Sequence, residues 1–274
     1  MKILKNILLS SVILSSVLSA ENEITATENV LKSETIKSWS NEFQLYGLIL
    51  WMQGNSTLGR LPNAKINMGA DDIFKSLKMG AMLHYEGLAS NGWGIWLDYA
   101  FMNLGFNGDI TSKKTELIQV DGNTGVYQGI MEAFIKYQSM LDKGYIDWYG
   151  GIRWWHNDFD FNFDLDMNGN KIPLASSSRT YDWYDPVVGF RWTYPINEKW
   201  SVRFRGDIGG FGIASNFTAA VETVALYDIT DVWQLKMSFK SLWVDYEEGT
   251  KGTANYFSYD TANFGPIIAI TYKF

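Results

Sequence analysis

The sequence predicts an all-β fold, a closed antiparallel up-and-down transmembrane β-barrel of about ten strands, with eight strands as the alternative. From residue 43 onward, apolar and polar side chains alternate with a period of two, as in strands whose two faces meet different surroundings. Short and long connections alternate between these segments, which is typical of a barrel that crosses a membrane. The chain also ends inside such a segment, on Phe274, which indicates that the last strand closes onto another.

The composition suits many strands joined by tight turns. Aromatic residues make up 16% of the chain, and there are 25 glycines but only 5 prolines. The chain has no cysteine, which excludes a disulfide framework and thiolate chemistry at a metal or a nucleophile.

The first twenty residues have the pattern of a secretory signal peptide. Two lysines precede an apolar run from Ile7 to Leu18, and small residues predict cleavage after Ser19 or Ala20. The run is too short to span a membrane. Removing the two lysines leaves 21 of the 23 basic residues against 30 acidic ones, a net charge of −9. This balance excludes a nucleic-acid-binding face.

After a polar periplasmic linker over 21–42, a single barrel domain is expected over 43–274. Its predicted strands lie near residues 43–53, 77–87, 92–104, 125–139, 144–157, 181–195, 199–211, 216–228, 231–245 and 256–274. In "WGIWLDYAF" the odd-numbered positions are apolar, and the even-numbered ones include Trp96 and Asp98. Aromatic residues near strand ends predict belts at the membrane interfaces. These residues are Trp93, Tyr145, Tyr194, Trp200 and Trp233.

The terminal "AITYKF" resembles the C-terminal signature of outer-membrane β-barrel proteins. The stretches "WYDPVVGFRWTYPINEKWSVRFRGDIGGFGI" and "YDTANFGPIIAITYKF" resemble a family of small, largely uncharacterised Gram-negative barrels. The resemblance implies an outer-membrane location and contact with its lipid. It also implies assembly by the barrel-insertion machinery, with Tyr272 and Phe274 as the signal. It supplies no catalytic motif.

The polar faces of the strands place a nearly balanced set of charges in the lumen. The positive residues are Lys78, Lys136, Arg153, Arg191, Arg203, Arg205, Lys236, Lys240 and Lys273. The negative residues are Glu86, Asp98, Glu132, Asp147, Asp185, Asp207 and Glu222. Charges that pair across a narrow barrel predict a plug, whereas unpaired rings of charge would make a narrow channel. Arg191, Arg203 and Arg205 are expected to form one network with the acids Asp185, Asp207 and Glu222.

Two histidines are the candidates for a general base. His84 is expected in the lumen beside Glu86, and His156 near the outer rim with Asp158 and Asp160. A membrane-embedded hydrolase is a second alternative function, although no nucleophile motif surrounds the serines at 176–178. We therefore expect a structural or surface-interaction role without enzymatic activity. The sequence names no extracellular ligand.

Two loop segments carry further motifs. Asp164, Asp166, Asn168 and Asn170 match the first half of a calcium loop, but position twelve is Ala175, so only weak Ca²⁺ binding in 158–170 is expected. No other cofactor is expected. The alternative is a hairpin turning at Asn168-Gly169 and projecting above the membrane. In "GADDIFKSL", Asp71 or Asp72 is the expected N-cap of a short helix near the barrel mouth.

Overall fold

The computed structural model describes residues 39–111, 118–167 and 170–274, and it describes their side chains except within 107–122 and 163–175. The predicted signal peptide and most of the predicted linker lie outside the described residues. The strands are β1 (Trp39–Leu48), β2 (Trp51–Leu58), β3 (Ala64–Met68), β4 (Leu77–Ala89), β5 (Trp93–Thr111), β6 (Ile118–Met140), β7 (Tyr145–Met167), β8 (Asn170–Pro195), β9 (Trp200–Gly209), β10 (Phe217–Asp228), β11 (Trp233–Glu248) and β12 (Phe257–Lys273), and the helix is α1 (Ala70–Ser76).

Ten of the strands, β1 and β4 to β12, form the closed antiparallel barrel that the sequence predicts. β1 closes it by pairing with β12 on one side and with β4 on the other. The start of β1, the end of β12 and the four short turns lie at one end, here called the terminal end. The opposite end is called the loop end. β1 begins at Trp39, so residues 39–42 belong to the barrel and not to the linker.

The outward side chains form an apolar band between two aromatic belts. On β5 the band runs from Trp93 to Phe101 through Ile95 and Leu97. Ring pairs at the terminal end are Trp93–Tyr137, Trp200–Tyr227 and Trp233–Tyr272, with centroids 5.2, 4.8 and 4.9 Å apart. Ring pairs at the loop end are Trp51–Phe264, Phe101–Tyr127 and Trp154–Tyr184, at 6.4, 5.7 and 6.2 Å. This arrangement fits a bilayer between the belts.

Strands β6, β7 and β8 continue well beyond the loop-end belt. A membrane strand needs about 9–11 residues to cross, whereas these contain 23, 23 and 26 residues. β7 and β8 stay paired up to Met167 and Asn170. The backbone on either side of 168–169 therefore follows the predicted projecting hairpin.

The barrel wall is interrupted near its middle, where β1 ends and β2 begins. This place is here called the step from β1 to β2. β12 pairs with β1 up to Ile267, and then with β2 from Phe264. Gly265 lies at the step, where a Cβ would come within 1.8 Å of the Ile49 carbonyl oxygen, so no larger residue fits there. β2 continues into the β2–β3 hairpin. The sequence indicated only one strand over 43–53 and did not predict β3.

On the other side of this step, β1 separates from β4 after the pair Leu45–Leu83. Among the described residues, β4 from Leu77 to Met82 pairs only with β5. The resulting opening, here called the wall window, lies between this free edge of β4 and the step from β1 to β2, next to α1. A free sheet edge at the level of the lipid is costly, because hydrocarbon cannot satisfy its backbone groups.

The predicted helix is present as α1, but its N-cap is Gly69 and not Asp71 or Asp72. Asp72 lies in the first turn, and its Oδ2 accepts the backbone N–H of Gly69 at 3.0 Å. Ile73 is the buried residue of the helix, and it packs in a cluster with Met102. In the described part of the chain, no helix is long and apolar enough to cross a membrane.

The lumen has a charged half toward the terminal end and an apolar half toward the loop end. Along β7 the inward residues change from Asp147 and Arg153 to Trp155 within a few positions. The apolar half is built around buried aromatic rings. They belong to Trp155, Tyr181, Trp183, Tyr246, Phe257 and Tyr259. The sequence predicted a charged interior throughout and did not predict this apolar half.

Candidate functional site in the lumen

An ion cluster of four cations and four carboxylates fills the charged half of the lumen. Its members are Lys136, Arg153, Arg191, Arg205, Glu86, Glu132, Asp147 and Asp207. All eight are at most 5% exposed. They come from strands β4 and β6 to β9, where the two-residue period turns their side chains inward.

One part of the ion cluster is a square of two arginines and two acids. Arg153 Nη2 lies 2.7 Å from Glu132 Oε1 and 2.8 Å from Asp207 Oδ1. Arg205 Nη2 lies 2.9 Å from Glu132 Oε2 and 2.7 Å from Asp207 Oδ2. The hydroxyl of Tyr149 donates to Asp207 at 3.0 Å. Each carboxylate thus meets both guanidinium groups, which is how a buried pair offsets its desolvation.

The other part of the cluster centres on Arg191. Its Nη2 donates to Glu86 Oε2 and to Asp147 Oδ2, both at 2.7 Å. Lys136 also contacts Glu86. His84 lies in the lumen as predicted, with Nε2 2.9 Å from Glu86 Oε1.

Trp96 joins the two parts. The guanidinium carbons of Arg191 and Arg205 lie 4.6 and 4.5 Å from the centroid of its ring. Such distances are favourable for a cation–π interaction, more so where water is excluded. Trp96 itself is 3% exposed. The sequence placed Trp96 on the inward face of β5. An aromatic residue among charged residues on that face could have indicated its contact with the arginines.

Little space is left in the charged half. Its cavity has a volume of about 20 Å³ and is lined by residues such as Glu86, Trp96 and Arg205. About 10–15 Å³ is needed to hold one water molecule. This cavity therefore has room for about one water molecule.

Four further predicted lumen residues, Glu222, Lys236, Lys240 and Asp98, form two groups beside the ion cluster, whereas Lys78 is exposed and Lys273 pairs with Asp228 at 2.6 Å. Glu222 pairs with Lys236 at 2.8 Å, and Lys240 faces Glu222 in the β10–β11 register. Asp98 accepts from the Tyr46 hydroxyl at 2.7 Å and lies 3.0 Å from His84 Nδ1. The members of both groups line the small cavity beside the ion cluster.

Three members of the predicted arginine network form no ion pair with the ion cluster among the described residues. The carboxylate of Asp185 accepts the backbone N–H and the hydroxyl of Ser215, both at 2.8 Å, and so anchors the β9–β10 turn. Arg203 donates to Thr193 Oγ1 at 3.0 Å and to the Tyr145 hydroxyl at 3.2 Å. Glu222 pairs with a lysine instead, so the prediction of one network was wrong for these residues. Arg203 precedes Arg205 by one inward position on β9 and so lies closer to the terminal end. At that height its guanidinium does not reach the carboxylates of the ion cluster.

Both histidines lie beside carboxylates, and neither lies beside a serine nucleophile among the described residues. His156 lies outside the barrel, 2.7 Å from Asp182 Oδ1 and 3.0 Å from Asp158 Oδ2. Of the candidate serines, Ser176 donates to Asn162. In the described part of the chain, no serine hydroxyl hydrogen-bonds to either histidine, and no group of acidic and histidine side chains is arranged to hold a metal. The predicted calcium ligands Asp164, Asp166, Asn168 and Asn170 lie outside the side chains described.

The apolar half of the lumen contains a cavity of about 570 Å³, here called the chamber. Inward residues of the long strands line it, among them Met102, Leu104 and Val126, and the β2–β3 hairpin covers one side. Its polar lining includes Gln128 and Asn157. Its volume lies in the range of about 300–1,000 Å³ that is usual for small-molecule sites.

Solved structures with a similar fold are outer-membrane proteins. The outer membrane protease OmpT from Escherichia coli has a TM-score of 0.52 and 10% identity, covering 91% of this chain and 100% of that chain. The translocator domain of autotransporter NalP from Neisseria meningitidis has a TM-score of 0.41 and 10% identity, covering 97% and 95%. Ail, the attachment invasion locus protein of Yersinia pestis, has a TM-score of 0.34 and 12% identity, covering 86% and 98%. At these identities the likeness concerns the fold alone.

No protein-family model and no curated protein matches the chain. The two aromatic belts, the closed ten-stranded sheet and the likeness to OmpT define the class. The protein has the fold of a transmembrane β-barrel of the kind found in outer-membrane proteins.

Proposed function

We propose that the protein is an occluded outer-membrane barrel with a structural and surface-interaction role, and that it is neither an open channel nor an enzyme. The observation that carries this proposal is the ion cluster. Its four cations and four carboxylates balance, and the cavity beside its arginines has a volume of only about 20 Å³. A selective pore would need continuous water and an excess of one charge along its path.

The surface role rests on the projecting hairpins of β6, β7 and β8. Beyond the loop-end belt, which includes Trp154, the outward residues of these strands become polar and acidic. Examples are Asp158, Asp160 and Asp182. In this proposal the terminal end faces the periplasm and the loop end faces the exterior. Tyr272, on the outward face of β12, and Phe274, directly after the strand, would present the assembly signal to the insertion machinery.

Planar-bilayer recordings of the purified protein test the occluded state. We expect no steady single-channel steps from the natural protein, and a measurable leak from Arg205→Ala because one corner of the ion cluster is removed. Arg203→Ala is the matched control, since among the described residues its guanidinium hydrogen-bonds to the neutral side chains of Thr193 and Tyr145. Steady single-channel steps from the natural protein would contradict this proposal and favour the alternative of a narrow channel.

A further inference from the structure

The wall window opens into a second cavity, which lies at the height of the lipid. This cavity has a volume of about 360 Å³ and is lined by outward residues such as Phe101 and Ile268 as well as by the inward Met82 and Met102. Ile268 is 61% exposed and lies on β12 between the belt residues Phe264 and Tyr272. The opening therefore faces the apolar band and not the aqueous phase.

Three apolar cavities adjoin from the window to the chamber. Between them lies an inner cavity of about 60 Å³. The inner cavity shares Leu48, Leu50 and Met82 with the window cavity, and it shares Gln128 with the chamber. Met102 lines all three. The boundary between lipid and chamber is thus made mostly of apolar side chains, and the inner cavity also borders the charged side chains of Asp98, Glu132 and Lys240.

The chamber contains an unpaired hydrogen-bond donor. Asn157 is 1% exposed and lines the chamber, and its Oδ1 accepts from Gln128 Nε2 at 3.1 Å. Its Nδ2 has no partner among the described residues. A buried amide without a partner is costly, and a ligand with an acceptor oxygen would satisfy it.

From these three observations we propose that the chamber binds a long-chain acyl compound, which enters from the outer leaflet through the wall window. The apolar lining takes the hydrocarbon chain, and Asn157 donates to the carboxyl or carbonyl oxygen. The height of the window favours the membrane as the source over the aqueous phase. This site is independent of whether the charged half conducts.

Photolabelling with a diazirine-bearing palmitate tests the proposal. The full-length protein is reconstituted into phospholipid vesicles that contain the probe, and labelled peptides are identified by mass spectrometry. We expect labelling of chamber peptides, such as those carrying Met102 and Val126, in addition to the lipid-facing surface. Labelling of the lipid-facing surface alone would overturn the proposal, because it would reflect ordinary contact with membrane lipid.

Two variants separate the chamber from the window. Val126→Trp fills the chamber and should reduce chamber labelling at least tenfold. Ala81→Trp places an indole ring at the wall window. It should reduce labelling of the chamber several-fold when the probe is supplied in the membrane. Ala133→Trp is the matched control, because Ala133 faces outward on β6, away from the window. Each variant must first show the band shift of a folded barrel on gels.

The remaining outcomes are decisive as well. If Val126→Trp leaves chamber labelling unchanged, the chamber is not the site. If Ala81→Trp has no effect while Val126→Trp abolishes labelling, the ligand enters from the loop end and the window is not its route. A diazirine hydrocarbon without the carboxyl should label the chamber several-fold less than the acid. Equal labelling would exclude the role given to Asn157.

Discussion

Arg191 and Arg205 are direct cross-strand partners on β8 and β9, and both side chains are buried in the lumen. Like charges in such a position normally destabilise a sheet. Here each guanidinium contacts two carboxylates, and both also lie against the ring of Trp96. The repulsion is therefore offset by neighbours on every side. It follows that each member of the ion cluster depends on the others.

Replacing Arg205 by alanine should destabilise the barrel. Glu132 and Asp207 would each lose one of two buried partners, at a cost of about 3–5 kcal/mol where the pair is dry. Water that enters the new space would reduce this figure. The measurement is the temperature at which the folded band disappears in a heat-modifiability gel. Arg203→Ala should shift that temperature much less, and equal shifts would show that the carboxylate contacts contribute little.

An arginine in the middle of the apolar band should also be destabilising. Leu97 is 45% exposed on the outward face of β5, and Leu97→Arg should cost about 2–4 kcal/mol at the bilayer midplane. Phe204 and Met237 occupy comparable outward positions. Thr180→Arg lies beyond the loop-end belt and should be nearly neutral. Urea titration of folding into lipid vesicles measures the difference, and equal costs at Leu97 and Thr180 would place the bilayer elsewhere.

Cysteine labelling tests the orientation of the barrel. The chain has no cysteine of its own, so Lys143→Cys in the β6–β7 turn and Ser177→Cys in the projecting hairpin each supply a single thiol. An impermeant maleimide added to intact cells should label position 177 and not position 143. The opposite result would place the terminal end outside. Lysed cells, in which both positions should react, provide the control.

Gly265→Ala should impair folding, because a Cβ at this position would lie 1.8 Å from the Ile49 carbonyl oxygen. The step from β1 to β2 would have to shift, and with it the edge of the wall window. Gly47→Ala is the matched control, since nothing lies within 4 Å of its added Cβ. The yield of folded protein on refolding into detergent compares the two. Similar yields would mean that the backbone at the step from β1 to β2 can shift to accommodate the added Cβ.

The sequence predicted the ten strands because the two-residue period and the short turns are local signals. It also assigned residues such as Glu132 and Arg205 correctly to the inside. It could not assign partners, because the period gives the face of a residue but not its height or its place around the barrel. Arg203 and Arg205 share a face and differ in partners for this reason. The apolar half of the lumen was missed because apolar residues such as Trp155 and Leu242 fall on faces that carry charges nearer the terminal end.

The closure of the barrel depends on a short length of β1. β1 pairs with β12 over Glu42–Leu48 and with β4 over Trp39–Leu45, so the four residues from Glu42 to Leu45 have both strands beside them. Such a narrow seam opens at lower free energy than the rest of a sheet. Amide protons at this seam should therefore exchange with solvent deuterium before those of the β6–β7 ladder. A seam that frays from Leu45 toward Glu42 would lengthen the wall window toward the terminal end without unfolding the cylinder.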